Sequence, residues 1–303
     1  MTFRKLLRIR PKIPHDECQY LHLIRKTLAT GDIIEGRNGK TKSTFGYTMR
    51  FSLKDNTIPL LTTKKLAWKT CLKELFWFMN GSTNNDLLKQ QNVTIWNKNA
   101  SRQFLDSRDL MSNRAGDLGP IYGHQWRHFN AAYKDCETDY TGKGVDQLAT
   151  LVQNLKNADT KYSRRHIISA WNPVQLPEMA LPPCHLLAQF HVNQEDELSC
   201  CLFQRSGDIG LGIPFNIASY SFLTHILAKH CDLKPLEFVH FIGNAHIYEK
   251  HEGSLEKQMK NTPQPFPTIT IKNKKENIDD YEIHDISIKD YTYVTKIKMD
   301  MIE

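Results

Sequence analysis

Between residues 16 and 31 the apolar positions Tyr20, Ile24 and Leu28 recur every four residues, which predicts a helix with one buried face. Asp16 stands at its start, with Gln19 three residues on as a capping-box partner, and Gly31 ends it. The next stretch, "IIEGRNGKTKSTFG", is rich in Gly, Lys and Asn and reads as a loop. Residues 66–80, "LAWKTCLKELFWFMN", are apolar almost all round, which predicts a second, buried helix closed by Gly81. Ser82 is expected to cap a short helix after it. Residues 97–145 are polar and loop-rich, and only "GDLGPIYGHQWRHF" looks fixed.

The second half changes period. "RHIISAW", "HLLAQFHV" and "ELSCCLFQRS" read as strands, 215–230 as a long buried helix, and "LEFVHFIG" as a further strand. "HIYEKHEGSLEKQMKN" reads as an amphipathic helix with charges at i, i+4 spacing. "TITI", "YEIHDISI" and "YTYVTKIKM" alternate like strands. The fold class is therefore α+β, a sizeable sheet with helices packed on it. A basic tail over residues 1–15 is expected to precede a single domain over 16–303.

Composition narrows the class. At 40% hydrophobic and 24% charged residues the chain falls in the ordinary globular range. No apolar run is long enough for a membrane helix, and the N-terminus lacks the apolar core of a secretory signal. Seven cysteines, irregularly spaced, argue for a reducing compartment rather than a disulfide framework, and no C-x-x-C pair suggests zinc. The expected location is the cytoplasm, with the nucleus or, for a viral chain, the host cytosol also open. The net charge of +7 suits an anionic substrate or loose nucleic-acid affinity and decides neither. No G-x-G-x-x-G or P-loop stretch is present.

The chemistry gathers around "MALPPCHLLAQF", where Cys184 follows two prolines. A core thiol needs only apolar neighbours, whereas a reacting thiol needs a fixed position and a nearby cation. Arg164 and Arg165 open a strand, Arg205 and Ser206 end another, Asn216 begins a helix, and His246 and Tyr248 follow a strand. Guanidinium groups take phosphate bidentately, and an Asn side chain reads an imide through one donor and one acceptor. Each also has a plain structural reading: a solvated arginine, a helix cap, a core histidine. Glu74, in the middle of an apolar helix, is either paired with a cation such as Lys73 or shifted upward in pKa.

Together, "IPLLTTKK", "RRHIISAWN", "LPPCH", "QRSGDIGLGIPFNIASY" and "GNAHIY" strongly resemble the thymidylate synthase family, from about residue 17 to the end. The resemblance implies an α/β sandwich, one large mixed sheet covered by helices in a single catalytic domain, and methylation of dUMP to dTMP by a homodimer. In that reaction 5,10-methylenetetrahydrofolate supplies the carbon and the hydride, and no metal takes part. It further implies that Cys184 adds to C6 of the uracil, Asn216 reads O4 and N3–H, Glu74 assists proton transfers, and Tyr122 helps remove the C5 proton. The phosphate would be held by Arg37, Arg205 and Ser206 of one chain and by Arg164 and Arg165 of the other. His246 and Tyr248 would hold the deoxyribose hydroxyl. Ile95, Trp96, Leu181 and Asp208 would form the pterin pocket, with Asp208 also on the nucleotide side. Lys64 would lie near the folate tail, and the C-terminal residues would close over the ligands.

The insert between Trp96 and Gly119, with "NASRQFLDSRDL", resembles the eukaryotic or large-DNA-virus type. The chain departs from the usual pattern at the Arg37 loop, at Asn97 and Asn244 where Asp is expected, at Phe203 for Tyr, and at the charged Glu303. Three rivals remain. A relative that hydroxymethylates a pyrimidine nucleotide is opposed by Asn216, since Asp stands there in such proteins. An RNA-binding role is permitted by the charge but supported by no motif. A Cys–His hydrolase leaves four arginines unexplained.

Overall fold

The computed structural model describes residues 14–36 and 39–302. Residues 1–13 of the expected basic tail, Arg37 and Glu303 therefore lie outside the described residues.

Helix α1 spans Glu17–Thr30 and buries Tyr20, Leu23, Ile24 and Thr27 along one side. The expected capping box does not form. Asp16 instead accepts the Ser52 N–H at 2.8 Å. Gln19 pairs with both backbone groups of Arg50, accepting N–H at 2.9 Å and donating to the carbonyl at 2.6 Å. Both side chains tie the helix to the sheet, where the backbone groups of a strand offered better partners than its own first turn.

The Gly- and Lys-rich stretch read as a loop is a β-hairpin, β1 (Asp32–Gly36) paired with β2 (Gly39–Ser52). Helix α2 (Trp68–Met79) ends before Gly81, whose φ is 72°. Helix α3 (Asn85–Gln90) is capped by Asn84 rather than by Ser82: the Asn84 side-chain Oδ1 accepts the Asp86 N–H at 2.9 Å. Two short helices, α4 (Arg102–Asp106) and α5 (Tyr122–His128), interrupt the loop-rich region, and α6 (Gln147–Lys156) follows it.

Next come β3 (Ile167–Ser169), β4 (His185–Val192), β5 (Glu197–Asp208), α7 (Gly212–His230) and β6 (Lys234–Tyr248). Strand β6 runs on through His246 and Tyr248, which the sequence placed after the strand and at the head of a helix. The helix itself, α8, covers only Glu252–Gln258. A ribbon of β7 (Thr268–Ile271) and β8 (Ile286–Lys289) stands apart, and residues 291–299 form no strand despite their alternation.

The main sheet has the order β1-β2-β6-β5-β4-β3. All its pairs are antiparallel except β5 with β6, which α7 joins as a crossover. Helix α7 is buried almost all round and carries no amphipathic pattern, because it lies between the sheet and α2. The other face of the sheet is not covered by any of the described residues. Phe45 is 83% exposed, and Phe203 and Phe241, neighbours across β5 and β6, are 37% exposed each.

A fully buried carboxylate joins distant parts of the chain. Glu17 accepts the backbone N–H and the hydroxyl of both Thr62 and Thr63, at 2.6–3.1 Å. The same hydroxyls accept from the Gln264 N–H and the Gln258 amide. Four buried donors thus depend on one side chain. Glu17→Ala should cost about 3 kcal/mol or more, since it strands donors that cannot reach water. Urea unfolding measures this, and a loss below about 1 kcal/mol would mean that the turn finds other partners.

Candidate functional site

Cys184 closes a rigid Pro182–Pro183 segment immediately before β4. Its N–H donates to the Tyr122 hydroxyl and its carbonyl accepts from Arg205 N–H, both at 2.8 Å. The Arg205 side chain folds back on the same segment. Nε donates to the Pro183 carbonyl at 2.7 Å and Nη2 to the Pro182 carbonyl at 2.8 Å. Burial pushes the Cys184 thiol up from its ordinary range, and the Arg205 charge pulls it down. The guanidinium is therefore both a brace for the loop and the cation poised to stabilise a thiolate.

Helix α2 contributes Glu74. Its carboxyl accepts from Trp96 Nε1–H at 2.7 Å, and burial raises its pKa to about 7 in spite of that hydrogen bond. Lys73 is no partner for it, since its ammonium donates to the Gln91 carbonyl at 2.7 Å. The upward-shifted carboxyl, rather than the salt bridge, is what the helix holds. Trp96 meets Tyr122 edge-on at 6.1 Å, and Tyr122 stacks on His185 at 4.0 Å. His185 is pushed down to about 3 by burial and shares a 2.8 Å hydrogen bond with Tyr220. It is a neutral spacer at neutral pH.

Asn216 lies in the first turn of α7, and its Oδ1 accepts from Gln204 Nε2 at 2.9 Å. Gln204 also donates to the Ser206 carbonyl, and its Oε1 receives His240 Nε2–H at 2.7 Å. Both side-chain polar atoms of Gln204 are thus committed, which fixes the Asn216 amide with no partner for its NH2 among the described residues. Ser206 and Asp208 follow on β5, and the parallel pairing sets Ser206 beside Asn244 and Asp208 beside His246. His246 Nδ1 lies 3.3 Å from Asn244 Oδ1 and 3.5 Å from the Ser206 hydroxyl, and Tyr248 meets its ring edge-on at 5.2 Å. Burial lowers the His246 pKa, so the ring is neutral near pH 7. Asn97, the other expected Asp, accepts from the Asn85 amide at 3.1 Å.

The structure thus brings together Cys184, Tyr122, Glu74 and Trp96, and beside them Arg205, Ser206, Asp208, Asn216, His246 and Tyr248. Leu181 and Ile95 are partly buried against the core around them. Lys64 turns inward: it is 4% exposed and donates to the Gly210 carbonyl, and burial lowers its pKa to about 8. Arg164 and Arg165 do not join the group. Both are exposed in the turn before β3, and no described residue pairs with either guanidinium. Gln204, His185, Tyr220 and His240 escaped the sequence reading. Period-two alternation along β5 carries the signal for Gln204, since Leu202, Gln204 and Ser206 share the covered face.

The fold and site define a thiol-centred α+β protein. A fixed cysteine, a protonatable buried carboxyl and an oriented amide lie near Arg205, Ser206 and His246. The chain belongs to the thymidylate synthase family, whose model matches residues 18–303. It is 50% identical over 293 residues to the human thymidylate synthase, covering 96% of this chain and 92% of that one. It is also 50% identical to the bifunctional dihydrofolate reductase-thymidylate synthase of Leishmania major, over 95% of this chain and 55% of that protein. A probable thymidylate synthase of Schizosaccharomyces pombe is 48% identical over 94% of this chain and 47% of its own length. The chain thus spans about half the length of the bifunctional and fission-yeast relatives and nearly all of the human one. Among the described residues no helix is long and apolar enough to cross a membrane.

The Glu74 shift has a stability signature. Between the ordinary value of about 4.5 and its folded value of about 7, the folded chain holds a proton that the unfolded chain has lost. Stability should therefore fall as pH rises through that window. Glu74→Gln should flatten this slope in denaturant midpoints measured across it, and an unchanged slope would show that Glu74 titrates normally.

Proposed function

We propose that this chain methylates dUMP to dTMP, drawing the carbon and hydride from 5,10-methylenetetrahydrofolate and releasing dihydrofolate. The observation that carries the proposal is the Cys184 segment: a thiol held on both sides of its peptide unit, braced by Arg205 and facing Tyr122 and a near-neutral Glu74. Uracil C5 is a poor carbon nucleophile. Addition of the Cys184 thiolate at C6 forms a C–S bond and moves the electron pair of the C5–C6 double bond toward C5 and O4, where charge must be stabilised. A carboxyl that titrates near 7 can pass a proton there at neutral pH. Asn216, its oxygen already held by Gln204, presents its NH2 to a carbonyl, which favours uracil O4 over the cytosine amine. Neutral His246 with Tyr248 suits a sugar hydroxyl, and Arg205 with Ser206 suits phosphate. Trp96, Ile95, Leu181 and Asp208 suit the flat pterin ring of the folate.

The working form in this reading is a homodimer formed through the uncovered sheet face. The apolar residues Phe45, Ile167, Phe203 and Phe241 lie exposed in the single chain, and burying them favours association. Arg164 and Arg165, held away from their own cavity, are then supplied to the partner's phosphate site. Arg37 is assigned to that site by resemblance alone. All seven cysteines are free thiols, which suits the reducing cytoplasm or nucleus.

Dihydrofolate release with dUMP and dCMP offered in parallel tests the reaction. Turnover is expected with dUMP only, and Cys184→Ser should lower it by about three orders of magnitude or more. Turnover with dCMP instead would favour the hydroxymethylating relative and overturn the reading of Asn216. Substantial residual methylation by the serine variant would remove Cys184 from its role. The shared site has its own test, mixing an inactive Cys184→Ser chain with an inactive Arg164→Ala chain. About a quarter of wild-type activity should return, since half the dimers are mixed and each carries one intact site. A confirmed heterodimer without activity would place Arg164 elsewhere.

A further inference from the structure

We infer that His251 is a positioning residue that pins the C-terminal segment, residues 294–300, against the Asp208 end of the site. This deepens the reading above and rests on it for the identity of the folate. His251 ends the short turn after β6 and is 1% exposed. Its Nε2 lies 2.7 Å from the Asp300 carbonyl oxygen. A carbonyl only accepts, so Nε2 carries the proton and donates it. Its Nδ1 is 3.7 Å from Asp208 Oδ1 and makes no hydrogen bond within ordinary distance among the described residues. The ring is thus a spacer of fixed length, one nitrogen on the segment and the other toward the carboxylate assigned to the pterin pocket.

Other contacts show that the segment is docked along its length. The Val294 N–H donates to the Thr62 carbonyl, and Lys65 N–H donates to the Thr295 carbonyl, both at 2.8 Å. The Ser254 hydroxyl donates to the Lys298 carbonyl at 3.4 Å. Toward its far end, His251 supplies the short side-chain bond. Gly210 shows how closely the parts meet. A methyl group added there would lie 2.9 Å from His251 Nδ1, 3.0 Å from Met299 Sδ and 3.2 Å from Asp208 Oδ1. Asp208 itself is held by the Gly210 N–H at 2.7 Å, and Lys64 holds the Gly210 carbonyl. One glycine thus links the C-terminal segment, the β5 carboxylate and the buried lysine.

The test uses two amides of different reach. The donor of Gln falls near the Nε2 position and that of Asn near Nδ1, so Gln can keep the bond to Asp300 and Asn cannot. Hydrogen exchange over residues 294–300 of the unliganded protein should be roughly tenfold faster in His251→Asn than in wild type, with His251→Gln close to wild type. In steady-state kinetics His251→Asn should raise the folate KM by a similar factor, leave the dUMP dissociation constant unchanged, and be rescued by Gln. Equal behaviour of Asn and Gln variants, or a dUMP affinity that falls in step with the folate KM, would overturn the assignment. Absence of wild-type turnover would count against the methylation reading, while the exchange comparison would still decide the role of His251.

Discussion

Three hydrogen bonds from Arg205 to the Pro182–Cys184 segment are the constraint around which the site is organised. A thiol on a free loop would sample many positions, and two prolines alone fix φ without fixing where the segment lies. By binding the carbonyls of Pro182, Pro183 and Cys184 from β5, Arg205 joins the loop to the centre of the sheet. The same strand carries Gln204, Ser206 and Asp208, and its parallel pairing with β6 adds Asn244 and His246 in register. Cys184 and the β5 and β6 groups beside it are therefore positioned by one piece of rigid backbone, the condition under which small displacements are least expected.

The site also keeps most of its titratable groups neutral. His185 and His240 are pushed down to about 3 by burial, and Glu74 is raised to about 7 by the same cause. This leaves Arg205 as the charge acting on the thiol. It also lets one carboxyl exchange a proton without a large change in solvation. The amide network from His240 through Gln204 to Asn216 uses neutral groups to set direction, so that the Asn216 amide is oriented by geometry more than by charge.

Much of this was legible in the residues. The fold brings the segments of Cys184, Arg205, Asn216 and His246 close to one another, and the buried helices announced themselves by being apolar all round. What escaped did so for physical reasons. The β1–β2 hairpin lies at the sheet edge with β1 fully exposed, so it carries no alternation and its Gly and Lys content looks like loop. Strand β6 outruns its apolar pattern because β2 and β5 hold it by backbone pairing as far as His246, whatever its side chains. Residues 291–299 alternate because they lie along the protein with one side inward, bonded to the Thr62–Lys65 turn without forming a ladder. Gln204, His240 and His251 were unreadable in isolation. A polar residue in a strand or turn announces a partner, but only the packed neighbour tells which.

The Glu17 carboxylate carries a consequence for how the molecule is made. Its acceptors are all committed to Thr62 and Thr63, yet the hydroxyls of that turn need Gln258 and the Gln264 amide, some two hundred residues downstream. A ribosome that has delivered the first hundred residues has supplied the helix and the turn but not the groups that complete them. Until those residues have emerged, the hydroxyls of Thr62 and Thr63 lack two of their donors. The contacts that complete this N-terminal turn thus span about two hundred residues, a non-local closure whose entropy must be met before the bonds reward it.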